Sequence, residues 1–198
     1  MTILDKMAAV VTPTQSEDTH RTAHAKARAA ADGRDWLGQI LDHHEAIEAA
    51  FNAVKAAADV DGRRAALTEL SILLSAHANA EEAVIYPALV HFGHKDLGMA
   101  GYAEQAGAKA DLGELEYSDP IGLEFEEKLE QIRRSVAHHV YEEENNRFLD
   151  LKKLSAMDQA HLSRRYAEEV QRFSGIDGAF EPAPVNQIQS AHLTRSSS

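Results

Sequence analysis

The chain has 198 residues and no cysteine, which excludes disulfides, thiolate nucleophiles, iron–sulfur clusters and Cys-attached haem together. A formal net charge of −12 sets it against phosphate backbones and anionic membranes, so no nucleic-acid or membrane partner is expected. It has no apolar run long enough to span a bilayer and no basic, apolar leader at the N-terminus, and a cytoplasmic location is expected.

Hydrophobic residues make up 44% and aromatics only 6% of a chain rich in Ala, Leu, Glu, Lys and Arg, a helix-forming composition. Residues 1–20 are polar and read as a tail; 21–32 form a short helix ended at Gly33. Residues 35–58 form the first long helix, with Leu37, Ile40, Leu41, Ile47, Phe51 and Val54 spaced three or four apart. The DVDG stretch at 59–62 reads as a turn. A second long helix covers 63–90, with Leu67, Leu70, Leu74, Val84, Ile85 and Leu89 on one face. After a loop at 91–98, a third covers 99–116, weakened by three glycines. Asp119 and Pro120 fit a helix start, and the fourth helix runs to about 150 through Phe125, Leu129, Ile132 and Val136. Ser155 and Asp158 suggest a cap for a fifth helix ending near Phe173. The expected architecture is all-α: an up-down four-helix bundle over 21–173, with extra short helices at both ends and a tail over 174–198.

Chemistry concentrates on three helices. His77 and Glu81 lie four residues apart, as do His139 and Glu143, so each pair shares a helix face one turn apart. Both pairs continue the apolar stripes of their helices, which point inward. On the first helix the stripe selects His44, while His43 is rotated about 100° away. Glu82, His138, Glu142 and Glu144 fall off the stripes or at their edges. Buried carboxylates need a partner, and no Lys or Arg lies on these stripes at that level, so a metal pair is the natural counter-charge. Imidazole and carboxylate ligation suits iron, manganese or zinc, and each carboxylate can bridge two ions. A single H-x-x-x-E on an acidic helix is an ordinary solvated pair; two copies on core stripes, with a third inward histidine, point to a di-metal site.

The segments LDHHEAIEAAF, HANAEEAVIYPAL and HHVYEEENNRFLDL resemble the metal-bearing segments of the hemerythrin-like (HHE) proteins, over roughly residues 36–151. The resemblance implies a four-helix bundle with an oxo- or hydroxo-bridged non-haem di-iron centre, ligated by His44, His77, Glu81, His139 and Glu143. It also implies a histidine from the third helix, which this chain lacks. Aligned through Lys109, Leu112 and Leu115, Gln105 stands at that position, with Tyr102 and Lys109 on the same face. Three readings stay open: Tyr102 ligates as phenolate, Gln105 or Lys109 bonds a metal-bound group, or the second metal is weakly held. His91 and His94 read as loop residues.

The function expected is binding or sensing of a small ligand such as O2, NO or peroxide. The alternatives are a peroxide-consuming di-iron enzyme, an iron- or zinc-binding protein without redox chemistry, and an interaction bundle with a polar core. The C-terminal tail suits a protein partner or a disordered end.

Overall fold

The computed structural model describes residues 15–174, and the expected C-terminal tail lies outside them, as do residues 1–14. The described residues are helical without strands: α1 (Glu17–Ala30), α2 (Trp36–Ala56), α3 (Val60–Ala80), α4 (Tyr86–His91), α5 (Lys95–Glu116), α6 (Leu123–Glu142), α7 (Phe148–Leu151) and α8 (Ala156–Ser174). Two π-helical turns, Glu81–Ile85 and Glu143–Arg147, join α3 to α4 and α6 to α7. No helix among them is long and apolar enough to cross a membrane.

Local chemistry sets the helix starts. Asp35 accepts from the Gly38 N–H and Asp59 from the Gly62 N–H, both at 2.8 Å, so each caps a helix. The DVDG stretch is therefore the cap and first turn of α3 rather than a separate turn. Ser16 caps α1, which begins at Glu17 rather than at residue 21. Ser155 caps α8 as expected, accepting from the Asp158 N–H at 3.2 Å. The fourth long helix starts later than Asp119–Pro120 suggests. Asp119 spends its carboxylate on the Ile121 N–H, and Gly122, at φ +132°, redirects the chain before Leu123.

The four long helices close a ring in which α2 packs on α3, α3 on α5, α5 on α6 and α6 on α2. The two added helices cover opposite sides of α2: α8 lies over α2 and α3, and α1 over α2 and the second π turn. Two hydrophobic clusters fill the interior. One includes Trp36, Leu37, Ile40, Leu41, Leu89, Phe148 and Tyr166; the other includes Ile47, Phe51, Leu67, Leu74, Leu112, Phe125 and Val136. On α2 the residues between the clusters are 42–46; on α3 they run from 75 to 79; on α6 they begin after Val136. A polar layer therefore crosses the bundle between two dry half-cores, at the level the three histidine-bearing stripes predict.

Candidate metal centre

His44, His77, Glu81 and Glu143 each offer an atom to one point, with those atoms within 4.8 Å of one another. His139 joins them: its Nε2 lies 3.3 Å from Glu143 Oε1. All five are buried, and both carboxylates are at 0% exposure. His77 Nε2 is 3.3 Å from Glu81 Oε2, and His44 Nε2 is 3.4 Å from Glu143 Oε2. Two ligands each about 2.1 Å from one ion stand roughly 3.0–3.4 Å apart, the octahedral and tetrahedral edges, so these spacings match a shared ion.

The hydrogen-bond account supports the same arrangement. His44 Nε2, Glu81 Oε1 and Glu143 Oε2 are buried without a hydrogen-bond partner. Three unpartnered lone-pair atoms aimed at one space are costly unless a cation fills it. Burial and the neighbouring Glu143 raise the Glu81 pKa well above the carboxylate range. Burial, with His44, His43 and His139 nearby, drives the His77 pKa down. The donor set of imidazoles and paired carboxylates fits divalent or trivalent metal with all-N/O preference.

Each histidine is oriented by an outer group on its Nδ1, leaving Nε2 toward the centre. His139 Nδ1 is 2.7 Å from Glu104 Oε2, and Arg147 holds Glu104 by bonds of 2.8 and 2.9 Å. His44 Nδ1 is 2.8 Å from Glu144 Oε1. Tyr166 on α8 reaches His77 Nδ1 at 3.4 Å and His43 Nδ1 at 3.0 Å. Burial opposes ionisation of Glu104 and Glu144, but the bonds from these partners outweigh it and hold both near 2. Burial likewise disfavours charged His44, yet Glu143 and Glu144 raise it to about 10.

The tyrosine at the centre is Tyr86, for which the sequence predicts no role. Tyr86, fully buried, donates between the carboxylates, 2.9 Å to Glu143 Oε1 and 3.2 Å to Glu81 Oε2. Tyr102 stands outside the group: its hydroxyl donates to the Glu82 carbonyl at 2.7 Å. The reason is backbone chemistry. The first π turn sends the Tyr86 N–H to the Glu81 carbonyl, and Pro87 has no N–H to give Glu82. Tyr102 satisfies the carbonyl thus orphaned.

Gln105 does enter the centre, donating to Glu81 Oε2 at 2.6 Å. Lys109 does not; it pairs with Glu82 at 2.7 Å, away from the carboxylates of the centre. His94 lies 3.8 Å from Asp150 and His91 packs on Phe92, both remote from the centre. His43 and Glu144, read as lying off the stripes, are buried. α8 covers His43, and the second π turn breaks the 3.6-residue period just where Glu144 follows Glu143.

A bundle that encloses imidazoles and carboxylates between two hydrophobic half-cores defines a helical metal-binding protein. A family model described as the hemerythrin HHE cation-binding domain matches residues 37–149, and the chain belongs to that family. Neither the curated proteins nor the solved structures contain a significant match to it.

Proposed function

We propose that the centre would hold two iron ions, with His44, His77 and His139 as imidazole ligands and Glu81 and Glu143 as the carboxylates between them. Manganese or zinc fits the same donors. The oxo or hydroxo bridge belongs to the family resemblance. The observation that carries this reading is that His44, His77, Glu81 and Glu143, all buried, bring ligand atoms within 4.8 Å of one another, while His44 Nε2, Glu81 Oε1 and Glu143 Oε2 have no hydrogen-bond partner. The ions would supply open coordination positions and redox change for a small ligand.

The chain's own residues limit what that ligand can be. A cavity of about 20 Å³ between α3, α5 and α6 reaches His77, Gln105 and His139, walled by Leu74, Ala78, Ala108 and Val136. That is room for one or two water-sized atoms, since one water needs about 10–15 Å³. It suits a ligand of the size of dioxygen, nitric oxide or peroxide. Gln105 and Tyr86 place an amide and a phenolic O–H beside the carboxylates, where they can bond a guest or hold a proton. The Tyr86 proton favours peroxide consumption as the second reading.

Metal analysis and Mössbauer spectra of protein from iron-replete cells test the first claim. About two irons per chain, with a visible spectrum changed by nitric oxide, are expected. A colourless protein holding only zinc would replace ligand sensing with metal handling. Oxygen evolution from added peroxide separates enzyme from sensor.

A further inference from the structure

The family match begins at residue 37, so α1 lies outside it, yet α1 reaches the centre. Ala23 and Ala27 are the buried residues of α1, and their small side chains let the helix lie close on its neighbours. At that contact His24 Nδ1 sits 3.0 and 3.2 Å from the two oxygens of Glu144. Glu144 is buried, and its Oε1 also accepts from His44 Nδ1 at 2.8 Å. The other nitrogen of His24 lies 3.1 Å from Glu45 Oε1. An imidazole with a carboxylate at each nitrogen donates on both sides. Arg28 adds bonds of 2.6 Å to Glu45 and 2.7 Å to Asp42, and Lys26 bonds the Asn145 carbonyl at 3.3 Å.

One unbroken chain of bonds thus runs from α1 through His24 and Glu144 to His44. We propose that His24, acting through Glu144, is a positioning residue for the metal ligand His44, so that docking of α1 and loading of the centre are thermodynamically linked. This rests on the reading of the centre as a metal site. Metal on His44 Nε2 would fix the ring, which keeps its Nδ1 on Glu144 and so keeps Glu144 in place for His24 of α1. Lifting α1 removes one of the two partners of a buried carboxylate and loosens the ring. Such coupling is reciprocal: whatever favours α1 on the bundle favours metal, and the reverse. α1 is then the segment through which the state of the centre is felt at the surface.

The test uses the full chain and Co(II) alone as the probe, titrated against a competing chelator. His24→Ala weakens Co(II) binding by about 10-fold, the low end for loss of an outer partner, and shifts the visible Co(II) bands. His24→Gln, whose amide can still donate to Glu144, recovers most of both. His20→Ala, on the same helix but against the Tyr141 ring, binds as wild type. In wild type, Co(II) slows amide exchange across residues 17–30. Wild-type affinity and bands in His24→Ala, or α1 exchange that ignores Co(II), would overturn the linkage while leaving the metal site intact. Wild type that binds no Co(II) would overturn the metal reading and the linkage with it. Should His24→Ala not fold, the wild-type exchange experiment decides alone.

Discussion

Among the described residues, Glu81 and Glu143 are each wholly buried with a carboxylate oxygen left open. Glu81→Ala and Glu143→Ala should each cut metal occupancy, since each presents a buried carboxylate to the centre; if both bridge as proposed, each loss would empty both positions. Glu82→Ala should leave occupancy unchanged and cost at most about 1 kcal/mol, because its partner is Lys109 in a partly exposed pair. Inductively coupled plasma analysis of the three variants decides between these expectations, and an emptied Glu82→Ala would contradict the site. The tyrosines form a second pair. Tyr102→Phe should lower stability by about 1 kcal/mol, the loss of one bond to the Glu82 carbonyl, with an unaltered visible spectrum. Tyr86→Phe should alter that spectrum, because its hydroxyl touches both carboxylates. The ligand stripes were legible in the sequence because imidazoles and carboxylates simply continue a 3.6-residue apolar pattern. Tyr86 was not, since it follows a π turn that no periodic pattern announces. The signal was Pro87, which denies Glu82 a backbone partner. Spacing alone leaves Tyr102 equally open as a ligand or as a core aromatic whose hydroxyl a neighbouring helix satisfies, and the structure has the second: the buried line of α5 runs Gly98, Gly101, Gln105, Leu112 and Leu115.

At the scale of elements, the π turns begin at the two buried glutamates, Glu81 and Glu143. An inserted residue in a helix is a distortion that persists where the surroundings repay it, and here it lets two consecutive positions serve the centre. Glu143 faces the centre, and Glu144 orients His44 from behind. Opposite the first turn, α5 approaches so closely that a methyl group on Gly101 would lie 2.6 Å from the Tyr86 ring. A glycine that the sequence reads only as a weak point in a helix is thus what seats Tyr86. Gly101→Ala should cost about 1–3 kcal/mol through overpacking, although alanine is the better helix former. It should also disturb the visible spectrum as Tyr86→Phe does. A Gly101→Ala protein with raised melting temperature and native spectrum would count against this packing. The helix order and the ring of four were readable from apolar periodicity. The late start of α6 was not, because Gly122 overrides a good Asp-Pro start.

For the whole molecule, the polar layer between two half-cores makes stability depend on its contents. Without metal, the buried carboxyl groups of Glu81 and Glu143 share that layer with His44 as their nearest counter-charge, 3.4 Å from Glu143. Chelation should therefore cost about 3 kcal/mol or more, a fall of roughly 6–12 °C in melting temperature for a chain of this size. Calorimetry before and after chelator checks it, and an unchanged transition would argue against buried, unpaired carboxylates. Acid acts on the outer layer. Glu104 and Glu144 titrate near 2 when folded and near 4.5 in the ordinary state. Their contribution is complete above about 4.5 and is lost as pH falls toward 2. The metal-free protein should lose stability over that window, and Glu104→Gln should flatten the acid limb measured by denaturant titration.

The order of these groups along the chain has a consequence for how the molecule is made. The three histidines and two glutamates have all been synthesised once residue 143 is reached, but Tyr166, which bonds His77 and closes the α2–α3 side, comes with the last helix described. A nascent chain therefore possesses every ligand before it possesses its cover. Under the proposed function a metal ion would meet the ligands while the bundle is open on one flank, before α8 closes over them with Trp36 bonded to Gln159 at 2.7 Å. Ions taken up in that order would be held by slow escape as much as by affinity. Starving the growing cell of iron would then leave a lasting deficit that later supply repairs only as fast as α8 lifts.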